Sequence, residues 1–289
     1  MQSPSVPKIA LITGGSSGIG LALARQLVQS GQHVWLVARR AEQLEQAIAA
    51  LEACRAREDQ VIGYSACDVT VMGQVEGAVA EATERLGAPD LVINSAGFAH
   101  PGYFHELDLD IFHQTMSVNY FGTLNVIRAA LPGMRARHSG QIINIASESG
   151  FIGLFGYTAY SASKYAVAGF SDALRPELKD MGIRLSVVYP PDVDTPQLAY
   201  ETPLQPPELR ALAPLRSVMS ADRLAKIILA EAGRGKYMIL PGFDAKLMYF
   251  LVRLLGRGFY PALDRVTGVL GNIERRKDHK GVNLREEVK

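Results

Sequence analysis

The sequence predicts an α/β fold, a doubly wound parallel sheet with helices on both faces. Three observations predict it. Strand-like and helix-like segments alternate without a break as far as residue 190. The strand segments are short, continuous apolar runs, the pattern of strands buried on both faces. A glycine-rich turn joins the first strand to the first helix, where such sheets carry a phosphate-binding loop.

Taken in order, Ile9–Ile12 is a strand that runs straight into Thr13–Gly20, TGGSSGIG. Leu21–Val28 has helical apolar spacing, closed by Gly31 as a C-cap. Val34–Ala38 is the second strand, and Glu42–Arg57, rich in Ala, Glu, Gln and Leu, is a helix. Val61–Ser65 is the third strand, Gln74–Leu86 a helix, and Asp90–Asn94 the fourth strand. One long helix is expected over Asp110–Leu131, then a strand over Ile142–Ala146. The helix that carries Tyr160 runs to about Met181, and Arg184–Tyr189 is the sixth strand. Pro190 opens a Pro-rich segment reaching Ser220, with Leu198, Tyr200, Leu204, Leu209, Leu212 and Leu215 spread through it. Loops of that length in a compact domain are usually lids or binding loops. A helix at Ala221–Ala232 and a strand at Tyr237–Leu240 finish the sheet. Residues 1–242 then form one nucleotide-binding domain with a lid at about 191–220, and residues 243–289 an amphipathic extension with a polar tail.

The bulk numbers exclude some functions. With 30 basic and 29 acidic residues the net charge is +1, and no basic face with interleaved aromatics stands out, so no nucleic-acid partner is expected. Cys54 and Cys67 lack the spacing and the histidine companions of a zinc site and read as free thiols of a reducing compartment. His100 and His105 lie close together but lack a carboxylate or H-E-x-x-H context, so no metal site is expected. The opening MQSPSVPK has no apolar h-region, and neither signal peptide nor anchor is expected there. A cytoplasmic protein, peripheral on a membrane at most, is the expectation. The peripheral contact would come from 244–270, where Arg253, Arg257 and Arg265 are set among large apolar residues. Such a helix either lies in a membrane interface with snorkelling arginines or packs on the domain or a second subunit.

The cofactor end is read from four places. In the turn Gly14-x-x-x-Gly18-x-Gly20, glycines let backbone approach a pyrophosphate while the helix supplies free N–H groups and a positive dipole end. Ser16, Ser17 and Ile19 complete that turn. The second strand ends at Ala38 and is followed by Arg39 and Arg40, where an NAD site would place an acid for the ribose 2′-hydroxyl. Two guanidinium groups without a carboxylate favour a 2′-phosphate, so the expected cofactor is NADPH/NADP+. The bland reading keeps both arginines as solvated surface charges. Asp68, with Val69 beside it, is placed for the adenine amino group. Asn94, Ala96 and Gly97 are placed beside the adenine-side ribose.

The chemistry is read from Asn144 to Lys164, NIASESGFIGLFGYTAYSASK. Tyr160 and Lys164 are four apart and leave one helix face together. Tyr-x-x-x-Lys is also an ordinary surface pair, but an ammonium beside a phenol pulls the phenol below its reference pKa of about 10. Ser147, at the end of the fifth strand, can meet the tyrosine across a cleft, where both would hydrogen-bond one carbonyl oxygen.

Together these residues resemble the short-chain dehydrogenase/reductase family. The resemblance rests on TGGSSGIG at 13–20, NSAG at 94–97, Asn119, Ser147 and YSASK at 160–164, spanning most of the first 200 residues. It implies a Rossmann-type sheet and a catalytic set of Asn119, Ser147, Tyr160 and Lys164, with Ser149 the competing serine. Within the family, residues 153–164 and Tyr189–Pro196, with Pro-Pro where most relatives carry Pro-Gly, resemble the 3-ketodihydrosphingosine reductases. Eukaryotic members of that branch tend to carry a lysine where this chain has Gln43, a role left to Arg40. The resemblance implies NADPH-dependent reduction of a long-chain lipid ketone. Tyr160 would act as proton donor, Lys164 would grip the nicotinamide ribose, and Asn119 would hold a water behind Lys164. Pro190, Val193 and Thr195 would pack against the nicotinamide, and a homo-oligomer, dimer or tetramer, would form through the long helices. Other lipophilic carbonyls (a 3-oxoacyl thioester, a steroid, retinal) fit the lid equally well. A non-catalytic NADP(H)-binding scaffold would show an eroded catalytic set, and here the set is complete.

Overall fold

A computed structural model of the chain describes residues 8–211, 217–261 and 265. Leu212, Leu215, the polar tail and the last part of the amphipathic segment lie outside the described residues. The strands are β1 Ile9–Thr13, β2 His33–Ala38, β3 Ile62–Ala66, β4 Leu91–Asn94, β5 Gly140–Ile145, β6 Ile183–Val188, β7 Val193–Asp194, β8 Met219–Ser220 and β9 Met238–Ile239. The helices are α1 Gly18–Gln29, α2 Ala41–Glu52, α3 Met72–Leu86, α4 Leu109–Met116, α5 Gly122–Ala136, α6 Thr158–Asp180, α7 Pro196–Glu201, α8 Pro207–Arg210, α9 Ala221–Gly233 and α10 Gly242–Leu255.

Seven strands form one parallel sheet in the order β3-β2-β1-β4-β5-β6-β9. Successive side chains of a strand point to opposite faces, so each strand feeds two cores. On one face Ile12, Leu36, Ile93 and Ile143 pack against Leu23, Leu44, Leu51, Leu224 and Ile228 of α1, α2 and α9. On the other Leu11, Trp35, Val92 and Ile142 pack against Val75, Val79, Ala130, Met134 and Leu178 of α3, α5 and α6. Each large side chain fully buried in this way contributes about 1.5–3 kcal/mol. The continuous apolar runs of the sequence are therefore what a sheet covered on both sides requires.

The long helix expected over Asp110–Leu131 is not a single α-helix. Between α4 and α5 the chain takes one wide π turn, Ser117–Phe121. The buried Asn119 sits in that turn. Single π turns inside helices often mark functional sites.

The described residues of the Pro-rich segment form the short elements β7, α7, α8 and β8, with β7 paired to β8. Thr195 caps α7 by accepting from the Leu198 amide at 3.3 Å, with Pro196 at the first helical position. The amphipathic segment has two faces. Ala245 of α10 is buried, and Tyr249 meets Phe151 edge-on with ring centroids 5.3 Å apart. Phe243, Leu247, Phe250 and Leu254 face outward and are exposed. No described helix is long and apolar enough to cross a membrane.

Candidate active site

The carboxyl ends of the central strands open on one cavity of about 660 Å³, at the point where an open sheet of this order reverses direction. The turn between β1 and α1 forms one wall. Gly14 takes φ +65°, and a Cβ on it would lie 2.7 Å from the Ser95 carbonyl oxygen. A Cβ on Gly20 would lie 2.3 Å from the Gly14 carbonyl oxygen. Gly20 therefore does not line the cavity; it lets α1 seat tightly under the turn. Ser16, Ser17, Gly18 and Ile19 do line it, and Ser17 makes no side-chain cap bond to the first turn of α1. Uncapped amides at a helix start suit an anion, so this cradle fits the pyrophosphate of a dinucleotide.

Arg39 and Arg40 stand exposed on the cavity rim after β2, and neither joins an ion pair among the described residues. Asp68 and Val69 follow β3 on the same wall; Asp68 Oδ1 accepts from the Thr70 amide at 2.9 Å and its hydroxyl at 2.8 Å. Ala96 and Gly97 also line the cavity, but Asn94 does not. As the last residue of β4 it is buried, and its Nδ2 donates to Asn144 Oδ1 at 2.8 Å, directly across from it on β5. The expectation of Asn94 beside the ribose is corrected: it pins two strands together behind the site. Pro190, Val193 and Thr195 also line the cavity.

Ser147, Tyr160 and Lys164 come together at the centre. Ser147 leaves the end of β5, accepts from the Ser149 amide at 3.2 Å, and hydrogen-bonds the Tyr160 hydroxyl. That bond selects Ser147 over the buried Ser149. The buried Lys164 donates from Nζ to the Ile145 carbonyl at 2.8 Å, and its amine lies 5.5 Å from the centroid of the Tyr160 ring. Asn119 stands behind them rather than in the cavity. Its Oδ1 accepts from the Phe98 amide at 2.8 Å, while Nδ2 donates to the Phe98 carbonyl at 2.9 Å and to Ser163 Oγ at 2.8 Å. The side-chain amide is thus engaged in tying the loop after β4 to α6.

Electrostatics correct another expectation. Burial pushes the Tyr160 phenol above the ordinary tyrosine range, the Glu201 carboxylate adds to that, and the bond from Ser147 opposes it. Lys164 does not bring it below 10. The same burial lowers the amine itself to about 8, with Glu201 opposing. Desolvation disfavours both charged forms and is the leading cause of each shift. Tyr160 is consequently protonated at neutral pH, the state a proton donor needs.

Sequence reading missed Glu201 and Tyr157. Glu201 ends α7 and is 7% exposed, and its Oε2 accepts from the Tyr157 hydroxyl at 2.8 Å. Both line the cavity beside Tyr160. The only signal in the sequence is an acid among apolar and proline residues, which does not distinguish a buried carboxylate from a solvated one.

A family model described as short chain dehydrogenase matches residues 8–204. The chain belongs to the short-chain dehydrogenase family. It is an oxidoreductase that binds a nicotinamide cofactor. Among relatives in this family, 3-ketodihydrosphingosine reductase of Bos taurus is 37% identical over 239 residues, covering 82% of this chain and 72% of the relative. A fatty acyl-CoA reductase of Acinetobacter baylyi is 34% identical over 277 residues, covering 93% of this chain and 89% of the relative. Among solved structures, a short-chain dehydrogenase from Streptomyces avermitilis superimposes with a TM-score of 0.75 at 27% identity, covering 91% of this chain and 98% of that one.

Proposed function

We propose that this protein reduces a long-chain ketone to a secondary alcohol with NADPH, and that the ketone is 3-ketodihydrosphingosine. The observation that carries the reading is the Ser147–Tyr160–Lys164 cluster, set between a dinucleotide cradle and a largely apolar lid. The relatives named for that ketone support the choice of substrate.

The cofactor is assigned to Gly14, Ser16, Ser17, Gly18 and Ile19 at its pyrophosphate, with Gly20 shaping the turn from behind. Arg39 and Arg40 take the 2′-phosphate, which selects NADPH over NADH. Asp68, Val69, Ala96 and Gly97 hold the adenosine half, and Lys164, Pro190, Val193 and Thr195 the nicotinamide half. When bound, the reduced nicotinamide supplies the hydride. Tyr160 gives its proton to the ketone oxygen, and Ser147 donates a hydrogen bond to that oxygen as charge gathers on it. Lys164 stabilises the phenolate left behind. Asn119 acts at one remove, fixing the turn of α6 from which Tyr160 and Lys164 project.

The lid, with Leu198 and Leu209 on its cavity side, covers the aliphatic chain together with Met248 of α10. Residues 1–242 are read as the cofactor domain and 243–289 as an extension whose outward apolar row on α10 rests on a membrane surface. Exposed Phe121 and Tyr165, on the long helices around the site, suit pairing into a homo-oligomer. A second reading, reduction of a fatty acyl thioester, is favoured by the near full-length match to the Acinetobacter relative. Assaying NADPH oxidation with 3-ketodihydrosphingosine, a 3-oxoacyl thioester, a fatty acyl-CoA, a steroid ketone and retinal separates these. Turnover confined to any ketone or thioester other than the first would refute the substrate assignment.

A further inference from the structure

The cavity is lined in two unlike ways. The turn after β1 and the arginines after β2 supply polar walls, whereas Ile152, Leu154, Leu209, Met248 and Phe259 supply apolar ones. Its volume of about 660 Å³ has to serve both cofactor and ketone. Pockets that enclose a single drug-sized ligand already span roughly 300–1,000 Å³. A dinucleotide takes most of the space, so part of a long aliphatic chain has to leave the cavity. Met248 marks the way out. Its side chain lines the cavity and is nevertheless 36% exposed, which places it on the boundary between cavity and surface. The rest of the extension fixes it there. Ala245, one turn earlier, is buried, and Tyr249 meets Phe151 edge-on. Tyr165 of α6 hydrogen-bonds Tyr260, which holds the neighbouring Phe259 at the cavity. Leu251 lies half-buried one turn on from Met248, with the exposed Leu247 beside both, so the apolar lining continues outward along α10.

We propose that Met248 and Phe259 frame an exit for the aliphatic chain, a subsite for its distal methylenes that selects long-chain over short-chain ketones. This deepens the reading of a long-chain ketone as substrate and rests on it. The chain runs from the carbonyl at Tyr160 past Leu154 and Leu209, leaves between Met248 and Phe259, and comes to lie on Leu247 and Leu251. Each methylene that reaches this surface adds about fourfold to binding. A ketone whose chain ends short of Met248 gains nothing from it.

The test compares 3-ketodihydrosphingosine with a short-chain homologue, using NADPH, in the unaltered protein, Met248→Glu and Met248→Leu. A glutamate at this partly exposed position keeps its charge in water when no chain is bound, and loses water to the methylenes when one is. The unaltered protein is expected to prefer the long chain by about 100-fold in kcat/KM. Met248→Glu is expected to reduce that preference by about tenfold or more, and Met248→Leu to retain it. A merely structural defect would lower turnover of both ketones together. That result, a preference undiminished in Met248→Glu, or equal use of both ketones by the unaltered protein overturns the proposal and leaves ketone reduction standing. Turnover of neither ketone by the unaltered protein overturns the substrate reading itself. A measurement independent of turnover is photolabelling by a 3-ketodihydrosphingosine analogue that carries a diazirine midway along its chain, bound to protein loaded with NADP+. The label should fall on α10 and on the residues around Phe259. Labelling confined to Leu154, Leu209 and the lid would show a closed pocket and overturn the proposal.

Discussion

Lys164→Met tests whether the site is maintained at the expense of the fold. The amine is buried, and its pKa falls from 10.5 to about 8. At about 1.36 kcal/mol per unit, that depression makes the charged amine cost roughly 3 kcal/mol. Between pH 8 and 10.5 the unfolded chain holds a proton that the folded chain has lost, so stability rises with pH across that window. Below pH 8 the whole cost is present. Methionine has a similar length and no charge, but it leaves the Ile145 carbonyl without its 2.8 Å partner, a loss of about 1–2 kcal/mol. The net gain for Lys164→Met at pH 7 is then about 1–2 kcal/mol, or a thermal midpoint higher by about 2–6 °C. Reduction of the ketone should fall by at least about 100-fold in the same variant. Scanning calorimetry of both proteins at pH 7 and pH 10 measures this, and the gap should shrink at the higher pH. A variant less stable than the parent at pH 7, or a gap indifferent to pH, would refute the reasoning.

Four further outcomes are expected. Tyr160→Phe removes the donor hydroxyl and should lower kcat by about 1,000-fold or more, while NADPH binding measured by fluorescence stays within a few-fold; substantial turnover sinks the assignment. In the parent protein, kcat/KM for reduction should hold steady up to about pH 8 and decline above it, as Lys164 loses the charge that supports the phenolate. A profile still climbing at pH 9 contradicts that role. Arg39→Asp should raise KM for NADPH by about tenfold and leave KM for NADH nearly unchanged, because only the former carries the 2′-phosphate. Equal effects on both would return Arg39 to the status of a solvated charge. Gly20→Ala places a methyl 2.3 Å from the Gly14 carbonyl oxygen and should abolish cofactor binding measured by calorimetry, whereas near-normal affinity would show that α1 can shift.

The sheet was legible because its strands are buried on both faces, so that Ile9–Ile12 and Val34–Ala38 read as unbroken apolar runs. The π turn at Asn119 was not, since one extra residue inside a helix barely alters apolar periodicity. Asn94 and Gly20 carry the motif yet face away from the cavity, and a motif does not say which way each of its members points. The spacing of Tyr160 and Lys164 placed both on one face of α6. It could not supply their burial or the approach of Glu201 from the distant α7, and these set the sign of the tyrosine shift. The amphipathic segment offered two uses, and α10 packs with one flank through Ala245 and Tyr249 while leaving the other bare.

That double-sided helix carries a kinetic consequence. Met248 of α10 forms part of the cavity wall, and Phe243, Phe250 and Leu254 of the same helix point outward. If those residues rest in a bilayer as proposed, a sparingly soluble ketone can pass from the leaflet to Tyr160 without crossing bulk water. Turnover should then follow the mole fraction of ketone in the lipid rather than its total amount, so that adding inert phospholipid slows the enzyme even though no ketone has been removed.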